Sequence, residues 1–110
     1  MDEIVVIDVA GRVTIGPDAK MRDAINEALE GGARNIVMNM ELVSKLDSSG
    51  IGELVAAHTS VKNRGGRFIL VALSDRLASV LQITQVLGIL ESFDDMESAL
   101  QSLGAGDGGG

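Results

Sequence analysis

The chain has 110 residues, enough for one domain around a single core, and 45% of them are hydrophobic. Only Phe68 and Phe93 are aromatic, cysteine is absent and the net charge is −7. These figures exclude base stacking on aromatic platforms, disulfides, thiol catalysis and thiolate metal sites, and they oppose binding to phosphate backbones or anionic membranes. A protein partner with a basic surface fits better. No apolar run approaches the ~18 residues of a membrane span, and no basic region leads into a signal-peptide core, so a soluble cytoplasmic protein is expected.

Ile4-Val5-Val6-Ile7-Asp8-Val9 is a β-branched run bounded by Gly11 and reads as a strand. Pro17 and Asp18 open a helix in which Met21, Ala24, Ile25, Ala28 and Leu29 form one apolar stripe, and Gly31-Gly32 end it. Ile36-Val37-Met38-Asn39-Met40 reads as the second strand. After a serine-containing loop, a helix runs from about Ser49 to Asn63 with Ile51, Leu54, Val55, His58 and Val61 on one face. Phe68-Ile69-Leu70-Val71-Ala72-Leu73 is the most continuous apolar run, as expected of a strand covered on both faces. Ser74 caps a helix carrying Leu77, Val80 and Leu81. A helical turn then leads to a short strand near Leu90–Phe93, and Asp94 caps a last helix with Ala99, Leu100 and Leu103 inward. Strands alternating with helices imply right-handed crossovers and an α/β fold. The domain is expected over residues 1–103, with residues 104–110 as a flexible Gly-rich tail.

Several chemistries find no support. His58 is the only histidine and reads as a half-buried structural residue on an apolar helix face. It lies about two to three helical turns from Ser48, ~15 Å at 1.5 Å per residue, too far to act as its base. The serines also lack the preceding glycine of a nucleophile elbow. No Walker loop, dinucleotide fingerprint or metal-ligand spacing is present. Ser49-Gly50-Ile51-Gly52 could cradle a phosphate through backbone N–H groups, but no lysine accompanies it. No catalytic residues, cofactor or metal are expected.

The informative stretch is Leu46-Asp47-Ser48-Ser49-Gly50-Ile51-Gly52, where strand and loop hand over to the second helix. A helix start presents unpaired N–H groups and the positive end of the dipole. A hydroxyl there can cap the helix or carry a phosphate. With Asp47 as N-cap, Leu46 and Ile51 take the N′ and N4 positions of a hydrophobic staple. Ser48 and Ser49 then occupy the first helical positions, and neither is required for the cap.

Asp47-Ser48-Ser49-Gly50-Ile51-Gly52, preceded by Asn35-Ile36-Val37-Met38-Asn39-Met40 and followed by Asn63-Arg64-Gly65-Gly66 and an apolar strand, resembles the STAS domains (sulphate transporter and anti-sigma factor antagonist). The resemblance runs from Ile4 to Leu103 and is closest to the stand-alone anti-sigma factor antagonists. It implies a mixed, largely parallel sheet of four to five strands with about four packed helices. It also implies a non-enzymatic, phosphorylation-switched binding module acting in transcription regulation. In that family the serine after the aspartate, here Ser48, is phosphorylated by a partner that is both anti-sigma factor and serine kinase, with a histidine-kinase-like ATPase fold. The unphosphorylated form binds that partner and frees a sigma factor, and a serine phosphatase resets the switch. Asp47, Ser49, Gly50 and Ile51 would lie in the docking surface. The chain departs from the family at Gly11-Arg12-Val13-Thr14, where members commonly carry Gly-Glu-Leu-Asp. The alternatives are a STAS scaffold or regulatory domain in another signalling assembly, and a nucleotide-binding module.

Overall fold

The computed structural model describes residues 4–13, 20–46, 48–84 and 88–104. They form β1 (Ile4–Val13), α1 (Lys20–Glu30), β2 (Asn35–Leu46), α2 (Ser48–Asn63), β3 (Phe68–Val71), α3 (Asp75–Ile83), β4 (Glu91–Phe93) and α4 (Met96–Ser102). The strands lie in the order β1-β2-β3-β4, and every neighbouring pair is parallel. The expectation of a mixed sheet gives way to an all-parallel one among the described strands, because each is joined to the next by a helical crossover rather than a hairpin.

Sequential order with crossovers of one hand places the connecting helices on one face. Ile25 and Leu29 of α1, Leu54 and Val61 of α2, and Leu77 and Leu81 of α3 share a core with Ile36, Met38, Met40, Phe68 and Leu70 of the sheet. α4 covers the other face, where Ala99 packs with Val37, Ile69 and Val71. β3 is therefore buried on both sides, as its continuous apolar run requires.

Local signals set the helix ends. α1 and α2 both stop in Schellman motifs: Gly32 at φ +99° and Gly65 at φ +80° take the left-handed position. The amides of Ala33 and Gly66 bond back to Ala28 and Val61, both at 3.0 Å. Ser74 caps α3 by accepting from Leu77 N–H at 3.2 Å. The cap of α4 is Asp95, not Asp94: its Oδ1 accepts from Ser98 N–H at 2.7 Å, because the helix starts one residue later than the sequence suggests.

β1 and β2 run longer than their apolar cores suggest. Gly11 falls inside β1, and β2 continues through the expected loop to Leu46. β3 accompanies β2 only as far as Asn39, so beyond that point β1 and β2 form a two-stranded ribbon past the sheet. Register shifts between Asp8 and Ala10 and between Gly11 and Arg12 re-phase this ribbon. Met40, Val43 and Leu46 turn inward while Glu41, Leu42, Ser44 and Lys45 are exposed, a period of three in place of two.

Candidate functional site

The ribbon delivers the chain directly into α2, whose first helical residue is Ser48. The expected cap, Asp47, lies outside the described residues. Of the expected staple, both Leu46 and Ile51 are buried in the same core cluster, which fixes the angle at which α2 leaves the ribbon. The first turn of α2 contains no acidic residue and its last turn carries Lys62. The positive end of a helix dipole sixteen residues long is therefore not offset by an acid of that turn.

The expected docking residues divide. Gly50 is buried, and Ile51 is only 9% exposed. Ile51 positions the helix by packing beneath it, since an apolar side chain one turn into a core-packed helix is drawn inward. The solvent face of α2 is formed instead by Gly52, Ala56, Thr59 and Ser60, with which positions 48 and 49 are in helical phase. Gly52 is open, and a Cβ built there meets nothing within 4 Å. Gly52 belongs to the motif but was not among the expected docking residues, and Ala56 lies outside it, although four-residue spacing along the helix carries the face of the serines to Gly52 and then to Ala56.

Among the described strands the sheet has no switch point of the kind that holds a nucleotide. Open parallel sheets bind such ligands where the strand order reverses, and here it does not. A cleft of about 140 Å³ between α1 and α2, lined by Ile25, Asn26, Glu53, Ala56, Ala57 and Ser60, is smaller than the roughly 300–1,000 Å³ of ordinary ligand pockets. No cluster of three metal-ligating side chains occurs among the described residues. No helix among them is long and apolar enough to cross a membrane.

His58 sits on the flank of α2 away from the serines. It is half-buried, and its Nδ1 is buried without a hydrogen-bond partner. Its charge and that of Lys62 are felt at the opposite end of the sheet, where they add to the effect of Arg67 in holding Glu91 below the ordinary glutamate range. The main cause there is the Arg67–Glu91 hydrogen bond, opposed by partial burial of the carboxylate.

The chain and its fold have counterparts among known proteins. The chain is 37% identical over 89 residues to an anti-sigma-B factor antagonist of Listeria monocytogenes, an alignment covering 77% of this chain and 75% of that protein. The unphosphorylated form of the anti-sigma factor antagonist SpoIIAA superposes with a TM-score of 0.71 at 26% identity, covering 96% of this chain and 93% of SpoIIAA. The phosphorylated form of SpoIIAA, described as a Bacillus cell fate determinant, gives 0.69 at 26% identity, covering 94% and 93%. The STAS domain family model matches residues 1–99. Fold, motif and relatives agree over nearly the whole chain, which belongs to the STAS domain family.

Proposed function

We propose that this chain is an anti-sigma factor antagonist, a cytoplasmic protein-binding module switched by phosphorylation of Ser48. The observation that carries the site is the acid-free first turn of α2, held between a core-anchored ribbon and a buried Ile51. The antagonist role is supported by the names of its relatives, among them the Listeria protein and SpoIIAA.

The unphosphorylated protein binds an anti-sigma factor and so releases a sigma factor. The same partner acts as a serine kinase and supplies ATP and catalytic groups, so this chain needs no cofactor and performs no catalysis. It offers a hydroxyl at a fixed position. Phosphorylation adds about −1.5 to −2 charges at the start of α2. The helix dipole offsets part of that charge within the free protein, which keeps its fold. In the docked state the phosphate meets a surface complementary to a neutral hydroxyl, and desolvation and repulsion separate the partners. A serine phosphatase restores binding. Asp47 and Ser49 flank the modified group, Gly50 and Ile51 set its position from below, and Gly52 leaves room for close approach.

Titration calorimetry with the cognate anti-sigma factor, combined with a kinase assay, tests this reading. Ser48→Ala should retain binding and melting temperature and take up no phosphate. Ser48→Asp should lose at least about a hundredfold in affinity, roughly 3 kcal/mol, with its melting temperature unchanged. Phosphate uptake by Ser48→Ala would move the site elsewhere. A lowered melting temperature as the main effect of both changes would make Ser48 a structural residue.

A further inference from the structure

Glu53 lies off the apolar stripe of α2 and is buried nonetheless. It is 7% exposed, and no other acid among the described residues is buried. A buried carboxylate is costly unless partners offset it, and Glu53 does interact within the chain. A carboxylate has about four acceptor sites, so an internal contact does not by itself exhaust it. Glu53 also lines the cleft of about 140 Å³ between α1 and α2. A cavity of about 150 Å³ holds a benzene ring, so a flat group of fewer atoms fits here. Ile25, Ala56 and Ala57 give the cleft apolar walls, while Asn26 on α1 and Ser60 on α2 add a side-chain carbonyl and a hydroxyl. No described base lines it. His58 and Lys62 stand roughly 140° and 180° around α2 from Glu53. Asp23, Glu27 and Glu30 are exposed on α1 around Asn26 and make that rim acidic. One turn beyond Ser60, Arg64 donates to the Leu29 carbonyl at 3.3 Å, so the ends of the same two helices are already bridged by a guanidinium.

We propose that this cleft receives an arginine side chain of the anti-sigma factor that docks on α2, with Glu53 as the acidic half of an ion pair across the interface. The identity of the partner rests on the antagonist reading; the chemistry of the cleft does not. Charge selects a cation, since the lining supplies a carboxylate and two neutral acceptors, and the chain carries a net charge of −7. Shape selects arginine over lysine. A guanidinium is planar, weakly hydrated and able to lie against apolar walls, and its fork offers donors to acceptors on several sides at once. The cleft is also in the right place. Ala56 and Ser60 belong both to its lining and to the stripe of α2 that runs through positions 48 and 52. Glu53 and Ala56 lie about 8 and 12 Å along the helix axis from Ser48, within the ~800 Å² that one partner covers. A side chain seated there fixes the register of the partner on α2, while Ser48 decides whether it docks.

Titration calorimetry of the full chain with its cognate anti-sigma factor tests the proposal. Glu53→Gln should weaken binding about tenfold and Glu53→Lys at least about a hundredfold. With the partner's arginines changed to alanine one at a time, one change should weaken binding to the unaltered chain and leave binding to Glu53→Gln as it was. Unchanged affinity of Glu53→Gln overturns the proposal, as does a loss that couples to no arginine. In either case a Ser48→Asp variant that still binds poorly leaves the antagonist reading standing. If the unaltered chain binds no anti-sigma factor, both fail together. Should Glu53→Gln not fold, amide NMR on the unaltered chain decides. Millimolar methylguanidinium should give saturable shifts centred on residues 25, 26, 53, 56, 57 and 60, larger than those of methylammonium at equal ionic strength. Shifts that are absent, or equal for the two cations, overturn the arginine assignment.

Discussion

The two ends of the sheet are built in opposite ways. At the end where the strands begin, polar groups tie the elements together. Arg67 N–H donates to Asn35 Oδ1 at 2.9 Å, and Ile36 N–H donates to the Arg67 carbonyl at 2.9 Å. The Arg67 guanidinium grips both carboxylate oxygens of Glu91 on β4 and donates to the Ser102 carbonyl and hydroxyl at the end of α4, at 3.0 and 2.7 Å. Arg64 reaches the Leu29 carbonyl at the end of α1, and Gly66 lies against the backbone of Arg34. At the opposite end, the β1–β2 ribbon outruns β3 and passes straight into α2, anchored from beneath by Val43, Leu46 and Ile51. One end holds the layers together, and the other presents a surface.

Substitutions at the base should act on stability and those at the apex on binding. The largest stability effect is expected for Gly66→Ala. A Cβ there would lie 1.6 Å from the Arg34 carbonyl oxygen, and because that atom belongs to the backbone the β3 entry must shift. A loss of about 3 kcal/mol in chemical denaturation is expected, with any change in partner binding explained by the unfolded fraction. Ser48→Asp should show the reverse, a comparable loss in binding with stability intact.

Arg67→Ala should cost about 1 kcal/mol, because the side chains of Arg67 and Glu91 are 32% and 38% exposed and solvent screens much of their attraction. The cost depends on pH in a defined direction. Glu91 titrates below its ordinary value in the folded protein, chiefly through the Arg67 hydrogen bond. Its contribution is therefore complete above the ordinary glutamate pKa and disappears as pH falls through the lowered one. The stability difference between Arg67→Ala and the unaltered chain should be constant near neutrality and shrink below about pH 4. A difference that grows on acidification would assign the bridge a different role.

The smallest effect is expected at Ala72, which follows β3 with φ +60° while its N–H donates to the Phe93 carbonyl at 3.2 Å. A left-handed alanine is strained, so Ala72→Gly should stabilise the chain by about 0.5 kcal/mol after the greater unfolded-state freedom of glycine is subtracted. An unchanged binding constant in this variant would show that strain at the end of β3 is not part of the docking surface.

Element types and helix ends were legible in the sequence because their causes are local. Gly32 and Gly65 end helices through their own left-handed backbone, Ser74 caps three residues ahead, and the run at Phe68 is apolar on both faces wherever it is placed. The family and the serine motif were legible for the same reason, since they are short, contiguous patterns. Strand order, register and burial of individual motif residues were not. Nothing within Ile4–Val9 distinguishes an inner strand from an edge, and nothing in residues 40–46 announces two register shifts that convert a period of two into three. The motif alone could not separate a docking Ile51 from a buried one, because the core that receives it comes from other elements. The bridge from Arg67 to Glu91 and Ser102 spans 24 and 35 residues of sequence and has no local signature. The sequence by itself determined which segments are helix and strand, where most helices begin and end, and which serines stand at the head of α2. Only the tertiary structure decided which apolar strand stays exposed, which motif residues face solvent and which end of the sheet is tied, because those depend on partners distant in sequence.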